Sequence, residues 1–259
     1  MVEARWINPA FHRHPIEATI IGRILAAFGE IELELCRTCA RGIGPEIPVL
    51  RTLYRVRMTS QRLDVAYNLA APLFTQYGLA EWWMATYSMV KRCLQIRNQF
   101  AHCNWGDHPP DLSTGLFFAD LGDAANDTLD FDYQFRHVDA ALLDEQERFF
   151  ATAHDWIRFA DHELAVKQGR LKSHFWPRPQ EQALPPLHNP PLEHVPPWLN
   201  EDQKARHLAR ALAAQGGAPT PTPGQQALDK ARAEKRAQRE AHREASLKGR
   251  SEKPREGKP

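Results

Sequence analysis

Apolar residues recur every three or four positions along four long stretches, the pattern of amphipathic helices that share a core. The stretches cover residues 16–41, 48–74, 79–102 and 139–168. In the second stretch the steps of four and three alternate regularly, as in the seam of a helical bundle. Together they predict a mainly α fold, an antiparallel, up-and-down four-helix bundle.

Several residues mark where the helices begin and end. Asp139 is a candidate N-cap, because its carboxylate can accept a hydrogen bond from the first turn. Gly169 is the expected stop of the fourth helix. Pro72 should kink or shorten the last turn of the second helix. Asn200 and Gln203 have the spacing of a capping box, which predicts a further short helix.

A different pattern separates the third and fourth helices. Apolar and polar side chains alternate over residues 129–136, as in a strand with one face in water. Residues 115–121 are its candidate partner, joined to it through residues 122–127. The sequence therefore predicts a small β-hairpin inserted between helices 3 and 4.

The amino-acid composition changes after the fourth helix. Residues 1–175 form the predicted helical domain, and residues 176–200 a proline-rich, extended linker that can pack along it. The short helix is expected over residues 201–215. Residues 216–259 consist mostly of Ala, Pro, Gln, Lys, Arg and Glu without an apolar stripe, which predicts a disordered, basic, low-complexity tail.

The formal net charge of +1 hides an asymmetry along the chain. Residues 201–259 contain 14 Lys and Arg but 8 Asp and Glu, a net charge of +6. The remaining residues, 1–200, therefore carry −5, much of it from the acid-rich stretch 103–147. A basic tail on an acidic body favours contact with nucleic acid, although most such charge runs are simply solvated.

Composition also bears on the compartment. No apolar run approaches the ~20 residues of a membrane span, and the N-terminus lacks the apolar core of a signal peptide. Four unevenly spaced cysteines do not form a recognisable disulfide framework. These features predict a cytoplasmic protein that makes no membrane contact.

The most informative polar residues, Arg97, Asn98 and His102, lie at the end of the third helix. Arg97 continues an apolar row, where a charge needs a partner or a site beside it because burying it alone is costly. The row consists of Trp83, Tyr87, Val90, Leu94, Arg97 and Ala101. Asn98 and His102 are four residues apart and share a neighbouring face. Arg97 and His102 are about 140° apart around the helix, so they converge only through the reach of the arginine, a frayed last turn or a second subunit.

This segment resembles the motif of HEPN domains (higher eukaryotes and prokaryotes nucleotide-binding). That motif is an arginine, often with a polar residue directly after it, and a histidine separated from the arginine by about four to six residues. Arg97, Asn98 and His102 match its three positions, on the third helix of a bundle with a long last helix. The resemblance covers about residues 16–168 in architecture, and its sequence evidence is this motif with the flanking Trp105.

The resemblance implies a metal-independent endoribonuclease of the toxin or defence type, a homodimer whose paired motifs line one cleft. His102 would act as general base on a ribose 2′-OH or as acid to the leaving 5′-oxygen. Arg97 would bind the scissile phosphate bidentately, and Asn98 would orient the histidine or the phosphate. RNA is then the candidate substrate, a cognate antitoxin is a possible partner, and no metal or other cofactor is needed.

Two alternatives use the same residues differently. An HEPN-like dimer could scaffold a partner without cutting anything, with Arg97 and His102 only finishing a helix. A zinc-stabilised helical protein is the third hypothesis, since Cys36 and Cys39 have metal-ligand spacing. The further ligands that it could recruit are Cys93, His102, Cys103 and His108. Buried thiols within a helix explain Cys36 and Cys39 without a metal.

The acid-rich stretch 103–147 argues against RNA binding, because it would repel phosphate if it folded over the cleft. Arg51, Arg55 and Arg62 lie on one side of the predicted second helix, opposite its apolar row. They could supply a compensating basic stripe, or they could simply form a solvated helix face.

Overall fold

A computed structural model describes residues 8–108, 114–120, 135–173 and 175–215, and this part of the chain is mainly helical. Its helices are α1 (Pro9–Arg13), α2 (Pro15–Ile43), α3 (Glu46–Leu53), α4 (Thr59–Gln76), α5 (Ala80–Ala101), α6 (Ala140–Lys167) and α7 (Glu201–Gln215). Its strands are β1 (Cys103–Gly106), β2 (Leu116–Asp120) and β3 (Phe135–Val138). Within the described ranges, no helix is long and apolar enough to cross a membrane.

The core lies where the four long helices α2, α4, α5 and α6 meet. Helix α2 contacts each of the other three, and α5 also contacts α4 and α6. The apolar row of α2 is buried, as its spacing predicts. Between α4 and α5, the rings of Phe74 and Trp83 stack with their centroids 4.3 Å apart, and both side chains are fully buried. The mainly helical class predicted from periodicity is therefore confirmed.

The second predicted helix is wrong as a single element. Helix α3 ends at Leu53 and α4 begins at Thr59, so a turn interrupts the stretch that begins at Pro48. Periodicity does not reveal the turn, because apolar residues on both sides of it still reach the core. Pro72 lies inside α4 without ending it, and the helix continues to Gln76.

Arg62, at the start of α4, stabilises the turn between α3 and α4. Its Nη1 donates to the carbonyl of Val56 at 2.7 Å, and its Nε donates to Oε1 of Glu32 on α2 at 2.5 Å. The guanidinium carbon also lies 4.8 Å from the centroid of the Tyr54 ring. One buried arginine thus satisfies a turn carbonyl and ties the turn to α2.

The predicted helix ends are confirmed. The Asp139 side chain accepts a hydrogen bond from the backbone N–H of Leu142 at 2.9 Å, which makes it the N-cap of α6. Gly169 follows α6 with φ +72°, the left-handed conformation typical of a glycine stop. Asn200 and Gln203 exchange side chain to backbone hydrogen bonds of 2.9 and 3.1 Å, a complete capping box.

The predicted hairpin is in fact part of a three-stranded antiparallel sheet in the order β1-β2-β3. Cys103 pairs with Asp120 between β1 and β2, and Leu116 pairs with Val138 between β2 and β3. Strand β1 has only four residues, too few for its alternation to be recognised in the sequence. Of the predicted strand 129–136, only its last two residues lie in the described range. The predicted turn 122–127 and the tail 216–259 lie outside the described residues.

The proline-rich segment 176–200 packs against the helices and the sheet, as its apolar residues allow. The indole N–H of Trp156 on α6 donates to the carbonyl of Gln180. The backbone N–H of Asn189 donates to the carbonyl of His137 at 2.8 Å, which extends the β3 edge by one bridge. We call residues 176–200 the strap.

Replacing Asp139 with alanine is expected to lower the free energy of unfolding by about 1 kcal/mol, the usual effect of losing an N-cap. The second oxygen of Asp139 also accepts a hydrogen bond from the side chain of Asn189 at 3.0 Å, so the loss of stability should be at least as large as that for an N-cap alone. Urea denaturation measures the change. The matched control is Asp144→Ala, which removes an exposed carboxylate from the same helix. Equal stability of the two variants would contradict the capping role.

Candidate active site

Helix α5 presents two of the three motif side chains to one open cleft. The helix ends at Ala101, and His102 is its C-cap with φ −129° and ψ 26°. Asn98 and His102 are both exposed, and both line a cleft of about 560 Å³. Residues four apart on a helix lie on the same face, so Asn98 and His102 are placed as their spacing predicts.

The other walls of the cleft come from the sheet and the strap. Gln99 is a further lining residue on α5, Asp120 lies at the end of β2, and Arg136 belongs to β3. Gln95 of α5 and His188 of the strap complete the polar lining that the described residues provide. Within this lining, the cleft contains two imidazoles, one guanidinium, one carboxylate and the amides of α5, a set capable of proton transfer and anion binding.

Arg97 takes a different position from the one predicted. Leu94 is buried, Arg97 is half-buried and Ala101 is exposed, so the apolar row of α5 leaves the core before it reaches the arginine. Arg97 Nη1 donates to Asn98 Oδ1 at 3.1 Å, but Arg97 is not among the described residues that line the cleft. Asn98 therefore contacts Arg97 and shares the cleft with His102, but Arg97 does not lie on the face of α5 that carries His102.

Arg136 and Asp120 provide the opposite charges of the cleft. Arg136 Nη1 lies 3.8 Å from Asp120 Oδ2, beyond hydrogen-bond distance. Both side chains are partly exposed. A long, partly solvated ion pair contributes little to stability, and an anion that enters the cleft can compete with Asp120 for the guanidinium.

His188 is held with one ring nitrogen already engaged. Its Nδ1 lies 3.0 Å from the backbone carbonyl of Asn189. Because a carbonyl only accepts, Nδ1 carries the hydrogen of the neutral ring and Nε2 has the free lone pair. Burial lowers the pKa of His188, opposed by its bond to the Asn189 carbonyl and reinforced by the charges of Arg136 and Arg92.

Three side chains of the helices anchor the strap next to His188. Gln99 Nε2 donates to the carbonyl of Leu187 at 2.6 Å, and Gln146 Nε2 donates to the carbonyl of Pro186 at 2.7 Å. Arg92 Nε donates to the carbonyl of Pro185 at 2.9 Å. Gln99 and Gln146 are buried. Buried amide N–H groups need such acceptors, and the strap carbonyls supply them.

The described acids of the stretch 103–147 lie mostly outside the lining of the cleft. Among its described acids, Asp107 accepts from Arg13 and Glu147 accepts from Arg23, and each arginine lowers the pKa of its carboxyl partner. Asp120 is the one acid of this stretch, within the described residues, that lines the cleft. The acids at positions 111, 123, 127, 130 and 132 lie outside the described residues.

The predicted basic stripe is not formed. Arg62 is buried in its ion pair with Glu32, whereas Arg51 belongs to α3 and Arg55 lies in the turn that follows α3. The single helix that would align the three does not exist.

The zinc hypothesis finds no support in the geometry. Cys36 and Cys39 are fully buried in α2, and burial raises their pKa values to about 12 and about 11, which favours the thiol over the metal-binding thiolate. Across the described ranges, no group of three or more His, Cys, Asp or Glu side chains could hold a metal ion.

Sequence reasoning overlooked Arg136 and His188 as residues of the site. His188 lies in a proline-rich segment without periodicity, so nothing local marks it. The available signal was Gln146, a polar residue within the apolar face of α6 between Leu143 and Phe149. A buried amide at such a position indicates that a polar backbone segment lies opposite it.

Comparison with known proteins yields no family model, no curated protein and no solved structure that matches this chain.

Proposed function

We propose that this chain is a metal-independent endoribonuclease of the HEPN type, with a toxin-like or defence-like role, and that it acts as a homodimer. The observation that carries the proposal is the open cleft at the end of α5, in which Asn98 and His102 lie beside a cationic side chain, Arg136. The mutual contacts of α2, α4, α5 and α6 agree with the four-helix bundle that the proposal requires.

The proposed reaction is an internal transesterification of RNA. A general base takes the proton of a ribose 2′-OH, and the 2′-oxygen attacks the adjacent phosphorus. The bond from phosphorus to the 5′-oxygen breaks, and a general acid protonates that oxygen. His102 carries one of these two proton transfers, because its imidazole is exposed and lines the cleft. The products are a 2′,3′-cyclic phosphate and a 5′-hydroxyl end.

Arg97 and Asn98 stabilise the phosphate in this proposal. The hydrogen bond from Arg97 Nη1 to Asn98 Oδ1 holds the guanidinium beside a residue that lines the cleft. Since Arg97 is on the side of α5 away from His102, we assign it to the cleft that two paired copies form together. There its planar fork can bind the scissile phosphate and stabilise the charge that develops on it.

The position of Arg97 also favours the second candidate function, a non-catalytic HEPN-like dimer that scaffolds a partner such as a cognate antitoxin. In that case the bond between Arg97 and Asn98 serves the end of the helix and the interface, and His102 transfers no proton. The two functions differ in one outcome, which is RNA cleavage.

Incubation of the purified chain with single-stranded RNA in excess EDTA tests the proposal. We expect cleavage that leaves 2′,3′-cyclic phosphate and 5′-hydroxyl ends, because the 2′-OH is the nucleophile and no metal-bound water takes part. DNA of the same sequence is the control, and it should remain intact because it lacks the nucleophile. Intact RNA would favour the scaffold function. Cleavage that requires a divalent metal would contradict the mechanism.

A further inference from the structure

We infer that His188 is a second proton-transfer residue of the cleft and that Arg136 is its phosphate ligand. One chain then supplies an acid at the end of α5, a cation from the sheet and a base from the strap. This inference rests on the proposed function and deepens it, because the HEPN-like motif on α5 includes neither residue.

Two buried amides hold His188 in its position. Gln99 and Gln146 occupy buried positions on α5 and α6 that apolar residues would fill in a core built only for stability. Their amides instead fix the backbone of Pro186 and Leu187, immediately before His188.

The residue on the other side of His188 is fixed as well. The backbone N–H of Asn189 donates to His137, and its side chain donates to Asp139 at 3.0 Å. A segment that only connects two helices does not require these hydrogen bonds, whereas a side chain that must reach a reacting atom has to be held in a defined position.

The hydrogen bond of the His188 ring fixes which of its nitrogens is basic. With Nδ1–H directed at the carbonyl of Asn189, the basic nitrogen is Nε2. Burial and the nearby guanidinium of Arg136 favour the neutral form. His188 therefore has the properties of a general base, and the exposed His102 of the same cleft is assigned to the leaving group.

The complete step is balanced within one cleft. His188 Nε2 accepts the proton of the 2′-OH as the 2′-oxygen bonds to phosphorus. Arg136 binds a non-bridging oxygen of the phosphate in place of its long contact with Asp120. The bond to the 5′-oxygen breaks, and that oxygen takes a proton from His102.

The test is cleavage of single-stranded RNA by the His188→Gln variant as a function of pH. We expect the rate to fall by about 10²–10⁴-fold, the effect of losing a general acid or base. Wild type should lose activity as the pH falls, below the ordinary imidazole pKa near 6.5, because protonation of His188 removes the base. The variant should lack this acid limb.

The matched control is His194→Gln, a second strap histidine whose ring stacks on His137 instead of lining the cleft. It should cut RNA at the wild-type rate. If wild type is active and His102→Ala is not, but His188→Gln keeps both its rate and its acid limb, the inference is wrong and the proposed function stands. If wild type itself is inert, the proposed function and the proton-transfer role fail together.

Uridine 3′-phosphate tests the cleft without any cleavage. NMR spectra of histidine-labelled protein should show that this probe shifts the ring signals of His102 and His188 in wild type, and that the Arg136→Gln variant loses the shifts. Absence of any shift in wild type would show that the cleft does not bind phosphate, which would overturn the role of Arg136.

Discussion

The His102→Ala variant is expected to cut single-stranded RNA about 10²–10⁴-fold more slowly than wild type, which is the usual effect of losing a general acid or base. Folding should change little, because His102 is exposed and follows the last residue of α5. The measurement is the single-turnover rate in excess EDTA, with a thermal melt of the same sample to confirm that the variant is folded.

The control for this prediction is His154→Ala, which removes a partly exposed histidine on α6 that does not line the cleft. Its rate should equal that of wild type. If the His102 and His154 variants are equally active, His102 transfers no proton. If neither variant nor wild type cuts RNA, the scaffold function is the better account of this fold.

The long helices could be predicted from the sequence because their periodicity is local and repeated. The apolar rows on α2 and α6 coincide with buried faces, and Asp139 and Gly169 mark the ends of α6. The turn between α3 and α4 could not be predicted in this way. It depends on Arg62, whose partners Val56 and Glu32 are six and 30 residues away, and periodicity carries no information about such contacts.

The candidate site could be predicted in part, for the same reason. Asn98 and His102 share a face because helical spacing places them there. The position of Arg97 depends on which side of the last turns of α5 is buried, and there Ile96 and Phe100 stay in the core while the row of Arg97 does not. Arg136 and His188 join the cleft only through the β2–β3 pairing and the anchored strap, and these are tertiary contacts.

The second large effect concerns stability. The Arg62→Met variant is expected to lower the free energy of unfolding by about 3 kcal/mol, the lower end of the range for breaking a buried ion pair by removing one partner. The side chains of Arg62 and Glu32 are only 11% and 13% exposed. Without the arginine, the carboxylate of Glu32 and the carbonyl of Val56 both lose their hydrogen-bond donor in a place where water reaches poorly.

Urea denaturation of wild type, Arg62→Met and the double variant Arg62→Met/Glu32→Gln tests this account. The double variant should recover part of the lost stability, because it no longer leaves a charge buried without a partner. Arg55→Met is the control, since it changes an exposed arginine of the same turn, and it should stay within about 0.5 kcal/mol of wild type. If Arg62→Met is as stable as Arg55→Met, the turn between α3 and α4 does not depend on Arg62. If the double variant is less stable than Arg62→Met, Glu32 has a second role, because its charge then stabilises the fold even without the arginine.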